Sequence, residues 1–488
     1  MFFRKSLDKL FIKRKSDSVS EIPFSKPRMI KCPYCFEEFS HENVHFKAIS
    51  IMSPDIGGFD IGDNEFKKDR KSLDNFEGKE TESSEDDFGI TEDEMDPFGS
   101  CEGTSENLSE REYARLFEEK QDPLFKKFWD SYSNELSWEY ANYPVITGKD
   151  PRMMKGSCQR DGDDMVVAVT DHYGKKTTER ICPFCHNPLP ANYGKYPVYF
   201  IATVGITASG KTVYLSQLLK GMDEYMGNVK MASVEMSSAV SDFLQKHPVK
   251  KDVPLPKGTL PGLLNPPLFY AILTEGAGYT LVFYDVAGED CTDEKEMNRY
   301  GAFIKNADGV IMILDPEQFM QISRSDDKNV RPKTVLEAMY KAFLGQGKTG
   351  VKSEIPLALA LSKSDRLEKT NLFPSNSNIF KDIDYSKGNF GFDLVQYRNL
   401  AGEVRRFLDG NSQGKAVLNV ADRFFSRTGF FAFSALNCDV IEEKKIINGQ
   451  SIPVSKPAAH PIPRRIEEPL YWMLSEFGIL QKIEPQPR

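Results

Sequence analysis

The chain is 488 residues long and carries 63 Lys and Arg against 72 Asp and Glu, a formal net charge of −9. That length predicts one substantial domain with attachments, and a hydrophobic share of 40% suffices for a large core. No run approaches the ~18 apolar residues of a membrane span, and the acidic balance, without a dense basic and aromatic patch, argues against a nucleic-acid partner.

Residues 1–29 read as a basic amphipathic tail. MFFRKSLDKLFIKRK sets Phe3, Leu7, Leu10 and Phe11 at helical spacing among lysines and arginines. Such a segment can make peripheral contact with an anionic membrane surface or serve as a solvated tail docked on the body. Arg4, Lys5, Asp8 and Lys9 interrupt the apolar residues before an export-signal core can form, so the expected location is cytoplasmic. There the eight cysteines are expected to bind metal or remain thiols.

Residues 30–50 carry Cys32-Pro-Tyr-Cys35, and residues 151–195 carry Cys182-Pro-Phe-Cys185. One such string is also the pattern of a redox dithiol, but neither lies between a strand and the long apolar helix that a thioredoxin-like fold needs. A two-residue spacer lets both sulfurs of a tight turn face one ion, so Cys32, Cys35, Cys182 and Cys185 predict a four-cysteine zinc ribbon. MVVAVTDHYGKKTTERICPFC predicts a hairpin turning at residues 171–174, whose second strand delivers Cys182. Between the knuckles lie an acidic insertion of disordered composition, 51–107, and a helical part, 108–150. Loop closure costs grow only logarithmically, so the interruption does not forbid the site. His41, His45 and His186 are spare ligand candidates or packing residues, and Cys101, Cys158, Cys291 and Cys438 read as isolated thiols.

Residues 196–488 read as a doubly wound α/β domain. YPVYFIATVGITASGKTVYLSQLLKGM is an apolar strand, a Gly-containing turn and an amphipathic helix, and residues 205–212 match G-x-x-x-x-G-K-[ST]. The backbone of Gly205, Ala208, Ser209, Gly210 and Val213 is expected around the phosphates, with Lys211 reaching the β and γ phosphates and Thr212 ligating Mg²⁺. Asp285-Val-Ala-Gly288 closes a second apolar strand, with Asp285 oriented to Mg²⁺ and the Gly288 amide to the γ-phosphate. IPLALALSKSDRL ends in Ser362, Lys363 and Asp365. The Asp365 carboxylate can accept from guanine N1–H and N2–H, whereas adenine would leave it unpaired, so the predicted nucleotide is GTP or GDP. Ser434, Ala435 and Leu436 follow a last strand and can meet the guanine O6 through backbone N–H groups. All of these strings fall at strand ends, where an open α/β sheet binds ligands. EEKKIINGQSIP predicts a late hairpin, and PLYWMLSEFGIL a helix whose Trp472, Leu474 and Phe477 pack on the sheet.

With these motifs the sequence resembles the TRAFAC clade of P-loop GTPases over roughly residues 197–480. The two knuckles followed by IATVGITASGKTVY, with RRIEEPLYWML near the end, are similar to the bacterial double-GTPase family of conflict-system-associated GTPases. That resemblance implies a regulatory GTPase working with protein partners encoded beside it, often including another GTPase. It departs from small GTPases at Glu289, where glutamine ordinarily orients the attacking water. A carboxylate beside the γ-phosphate is unfavourable unless turned away or paired. Glu289 therefore either points outward, with slow intrinsic hydrolysis, or acts as a base in an assembled complex. For the switch I threonine on Mg²⁺ the candidate is Thr259, with Thr274 behind it. A reading of another class makes the chain a non-catalytic guanine-nucleotide-binding scaffold whose ribbon and insertion mediate interactions.

Overall fold

The computed structural model describes residues 29–47, 145–147, 158–162, 164–170, 176–206, 208–256, 265–287, 303–320, 331–344, 350–383, 390–447 and 450–484. The basic tail up to residue 28, the acidic insertion, nearly all of the helical part, the turn at 171–174, and Cys101, Thr259, Gly288, Glu289 and Cys291 lie outside the described residues.

Val198–Gly205 (β1), Ala232–Glu235 (β2), Leu268–Leu273 (β3), Gly278–Ala287 (β4), Gly309–Leu314 (β5), Leu357–Leu361 (β6) and Thr428–Ala432 (β7) form one seven-stranded sheet in the order β2-β3-β4-β1-β5-β6-β7. Strands β4, β1, β5, β6 and β7 run parallel, while β3 is antiparallel to β4 and β2 to β3. Parallel strands covered on both faces need continuous apolar runs. GVIMIL and LALAL are such runs, and every residue of β5 and β6 is buried. The chain leaves β1 toward one edge of the sheet and later crosses to the other, which makes the C-terminal end of β1 the point of reversal where such sheets hold ligands.

Helix α1, Lys211–Lys220, follows β1 directly and buries Leu215, Leu218 and Leu219. Further helices are α2, Pro332–Leu344, α3, Leu394–Asp409, α4, Ser412–Phe424, and α5, Glu468–Glu476. The side chain of Asp393 accepts from the amides of Val395 and Gln396, and that of Asn411 from Gly414, capping α3 and α4. In α5, Trp472 and Leu474 are buried, and just beyond it Phe477 stacks on Tyr199 with ring centroids 4.5 Å apart. The C-terminal helix thus packs on the sheet, as its apolar pattern predicts.

In the ribbon, Met29–Lys31 and Glu38–Ser40 pair antiparallel around the first knuckle. His45–Lys47 pairs with Val145–Thr147 on one side and with Arg180–Ile181 on the other, and Arg180–Ile181 also pairs with Pro188–Leu189 around the second knuckle. The hairpin predicted before Cys182 is corrected in one respect. Val166–Thr170 does pair with Lys176–Thr177, but the strand that delivers Cys182 belongs to the other sheet. The chain switches between Thr177 and Arg180, where the Lys47 amide captures the Glu179 carbonyl at 2.9 Å.

Just ahead of α5, the Arg465 Nε and Nη2 donate to both carboxylate oxygens of Glu468 at 2.7 Å, and Nη1 donates to the carbonyls of Asn378 and Lys381. Burial outweighs the opposing pull of Arg465 and pushes the Glu468 carboxyl above its ordinary value. Its contribution to stability is therefore full below the ordinary carboxylate range and is lost as pH rises through the folded value. A pair of this kind positions more than it stabilises. Replacing one partner still strands the other: Arg465→Met is expected to cost about 3–5 kcal/mol at neutral pH, and less in acid, where Glu468 can take a proton. Denaturant midpoints measured across that pH range test this, and equal midpoints for wild type and variant at neutral pH would refute it.

Candidate functional site

The turn after β1 is shaped by its backbone. Gly210 has φ 87° and Ala208 φ 64°, both left-handed, and a Cβ on Gly205 would lie 2.4 Å from the Ser209 hydroxyl. Glycine meets the first demand at no steric cost, and it is the residue that allows the close approach at position 205. Alternating right- and left-handed residues turn successive N–H groups toward one concavity, an arrangement suited to an anion.

That concavity opens into a cavity of about 420 Å³. Gly205, Ala208, Ser209, Gly210, Lys211, Thr212 and Val213 line it from the first turn, Ser362, Lys363 and Asp365 from the turn after β6, and Ser434, Ala435 and Leu436 from the turn after β7. Lys211 and Asp365, more than 150 positions apart, therefore share one chamber. Side chains lock the three turns together. The Ser362 hydroxyl donates to the Ser209 carbonyl at 2.7 Å, and Lys363 Nζ donates to the Ala208 carbonyl at 3.0 Å and pairs with Asp315. The Ser434 hydroxyl donates to Asp365, and Gln217 Nε2 to the Ala435 carbonyl at 3.0 Å. Lys363 and Asn437 both adopt φ 51°, a conformation that non-glycine residues keep only where surroundings over-determine it.

Asp285 does not line this cavity but meets it through Lys211, whose Nζ lies 2.7 Å from the carboxylate, with both side chains almost fully buried. Asn265 donates to the other Asp285 oxygen at 2.9 Å. Thr274, the second candidate for switch I, caps the turn between β3 and β4, where its hydroxyl bonds Ala277. At roughly 3.3 Å per strand residue, the run from Gly278 to Asp285 puts it some 20 Å from the carboxylate, which rules it out as a shared metal ligand. Sequence reasoning missed Asp315, Asn265 and Gln217. Asp315 had a signal, since it ends the apolar run VIMILD as Asp285 ends its own.

The four predicted cysteines converge on one point. Cys32 Sγ lies 3.7 Å from Cys185 Sγ, Cys35 Sγ lies 3.7 Å from Cys182 Sγ, and all four sulfurs fall within 4.8 Å of one another. Thiolates around a tetrahedral zinc with Zn–S of about 2.3 Å sit roughly 3.8 Å apart, so the group fits that ion. The knuckles repeat one geometry: the amides of Tyr34 and Phe184 bond Cys32 and Cys182 sulfurs at 3.4 Å, and the residues after the second cysteines, Phe36 and His186, are both left-handed. Burial pushes the Cys32 and Cys35 thiols well above their ordinary value. Burial acts likewise on Cys185, but hydrogen bonds from Cys182, Cys32 and Cys35 outweigh it and hold that thiol well below. A bound cation would favour the thiolate form of all four ligands. Among the described residues His41, His45 and His186 do not join the ligand group.

The knuckle packs directly on the large sheet. Phe36 meets Phe200 and Phe303 edge-on at 5.8 and 5.3 Å, and the Tyr284 hydroxyl donates to the Pro33 carbonyl at 2.7 Å. Because neighbouring strand residues face opposite sides, Tyr284 holds the ribbon while Asp285 faces Lys211.

No protein-family model matches the chain. Over 324 residues it is 26% identical to a protein of Mycolicibacterium smegmatis named as an ESX-1 scaffolding and assembly protein, SaeC, a match covering 62% of this chain and 80% of that one. Among solved structures, the G domain of the T. maritima FeoB iron transporter matches at 16% identity and a TM-score of 0.18, over 36% of this chain and 78% of that one. Translation elongation factor SelB of Methanococcus maripaludis with the GTP analogue GppNHp matches at 10% identity and a TM-score of 0.20, over 49% of this chain and 30% of that one. Sup35 with GDP matches at 10% identity and a TM-score of 0.21, over 49% and 38%. No helix among the described residues is long and apolar enough to cross a membrane.

Metal analysis of the purified chain is expected to find about one zinc per molecule, lost when Cys182 and Cys185 are both replaced by serine. Because the knuckle is part of the sheet's core, chelation should also lower the melting temperature of the whole protein. A metal-free preparation that melts like the untreated one would count against the site.

Proposed function

We propose that the chain is a Mg²⁺-dependent switch that binds and hydrolyses GTP, built as a doubly wound P-loop domain, residues 196–488, bearing an interrupted zinc ribbon. The observation that carries this reading is the meeting of Lys211 and Asp365 in a single cavity whose three turns are tied to one another. The backbone of Gly205, Ala208, Ser209, Gly210 and Val213 would take the phosphates and Lys211 would neutralise the β and γ oxygens. Asp365, steadied by Ser434, would accept from guanine N1–H and N2–H, with Ala435 and Leu436 amides near O6.

Thr212 and Asp285, together with Thr259, would hold Mg²⁺, whose charge offsets that of the phosphates. For that, Asp285 must exchange its direct contact with Lys211, and an incoming γ-phosphate gives the ammonium a stronger partner. The exchange couples nucleotide arrival to a change at the end of β4, the strand that runs into Gly288 and Glu289. Ordering of the segments beyond β4 by the γ-phosphate and their release on hydrolysis would make the switch. A Glu289 turned away from the phosphates would leave intrinsic hydrolysis slow until protein partners engage, in keeping with the resemblance to conflict-system GTPases. The name of the mycobacterial relative, with its reference to scaffolding and assembly, supports a role exercised through partner proteins.

Competition among fluorescent GTP, GDP, ATP and XTP tests the assignment. Asp365→Asn is expected to weaken GTP binding by at least tenfold, roughly the worth of a charged hydrogen bond, and to gain xanthine nucleotide, whose 2-oxygen accepts where guanine donates. Equal competition by ATP and GTP would overturn the guanine site. Phosphate release by the isolated chain is expected to run well below one turnover per second. Many turnovers per second would refute the outward Glu289, and none with or without partners would leave a nucleotide-binding scaffold.

A further inference from the structure

The cavity has a wall that none of the nucleotide motifs supplies. Val440–Ile447 (β8) and Gln450–Pro457 (β9) form the predicted hairpin, with Val440 opposite Pro457 and Glu442 opposite Ser455. The hairpin rises from the loop that carries Ser434, Ala435 and Leu436, and its base is closed by the Ala458 amide on the Asp439 carbonyl at 2.8 Å and the Ile462 amide on the Leu436 carbonyl at 3.1 Å. A segment about two hundred positions upstream lies along its returning strand. The Asp252 amide donates to the Pro457 carbonyl at 3.2 Å and the Leu255 amide to the Ser455 carbonyl at 2.8 Å. Leu255, Pro256, Val440 and Ser455 all line the same cavity as Lys211 and Asp365.

We propose that this hairpin and the segment it holds form a nucleoside-contacting wall that slows nucleotide release. The inference rests on the guanine-nucleotide reading of the cavity and extends it to residues outside the motifs. Three observations carry it. The wall is continuous through Cys438 with the turn proposed to meet the base, so it belongs to the base and sugar end of the chamber rather than the phosphate end. Its Leu255, Pro256 and Val440 add apolar surface to that end of the cavity, and a purine and ribose lodged there would remove that surface from water. The wall is also held by backbone hydrogen bonds between segments remote in sequence, so it does not depend on one flexible side chain. Contacts of this kind retard escape more than they speed encounter, so their loss belongs in the dissociation rate.

The test loads the full chain with a fluorescent GDP analogue and follows its release into excess GDP by stopped flow. Leu255→Pro removes the amide that holds the Ser455 carbonyl, and Leu255→Ala and Val440→Ala remove apolar surface while leaving backbone bonding intact. Release is expected to quicken about fivefold or more in Leu255→Pro, the rate equivalent of one hydrogen bond, and about threefold in each alanine variant. Association should be little changed, and Glu443→Ala, exposed and on the hairpin face opposite to Val440, should release like wild type. Should Leu255→Pro fail to fold, the alanine variants decide. Release unchanged in them while the protein still binds overturns the wall alone. Failure of the wild-type chain to bind any guanine nucleotide overturns the nucleotide reading, and the wall with it.

Discussion

The Lys363 ammonium and the Ser362 hydroxyl donate to the carbonyls of Ala208 and Ser209, reaching across β5 to tie the turn after β6 to the turn after β1. Both turns contain a left-handed non-glycine residue, Ala208 and Lys363, each costing about 1–3 kcal/mol. Neither conformation would hold in an isolated turn. It holds here because parallel pairing of β1, β5 and β6 brings the strand ends level, and because Asp315 fixes the far side of the Lys363 ammonium. The concavity of the first turn and the Asp365 carboxylate are thus two ends of a single cross-braced frame.

The same frame extends through β4 to the four-cysteine ribbon. Tyr284 and Asp285 are neighbours in sequence and face opposite sides of the strand, one bonded to the Pro33 carbonyl in the first knuckle and the other to Lys211. Small movements of β4 on nucleotide exchange would reach the ribbon, and the ribbon in turn limits them. The aromatic contacts of Phe36 with Phe200 and Phe303 make that boundary a packed core rather than a hinge. On the other flank, the backbone bridge between Ser434 and Arg464 and the buried Arg465–Glu468 pair fix the turn after β7 that lines the cavity.

An interrupted ribbon is compatible with this rigidity because the interruption begins and ends at one place. His45–Lys47 and Val145–Thr147 pair antiparallel, so the long excursion leaves and rejoins the ribbon side by side. The knuckles are then brought together by strand pairing of His45 with Ile181, one residue before Cys182. Loop length enters the closure cost only logarithmically, whereas the sulfur cluster sets the geometry.

The sequence by itself determined the strand, turn and helix around Lys211, the apolar strands ending at Asp285, Ser362 and Ser434, the two knuckles, and the late hairpin. Each of these is written within about ten residues as periodicity, glycine placement or ligand spacing, and needs no knowledge of what lies beside it. Only the tertiary structure decided that Cys182 is delivered by a strand of the ribbon sheet, that Thr274 sits at the remote end of β4, and that Asp315, Asn265 and Gln217 buttress the site. Only it revealed that residues 252–256 and the hairpin wall the chamber. Those facts depend on which distant segments pair, and pairing is settled by the packing of the whole sheet and by backbone groups that look alike at every position.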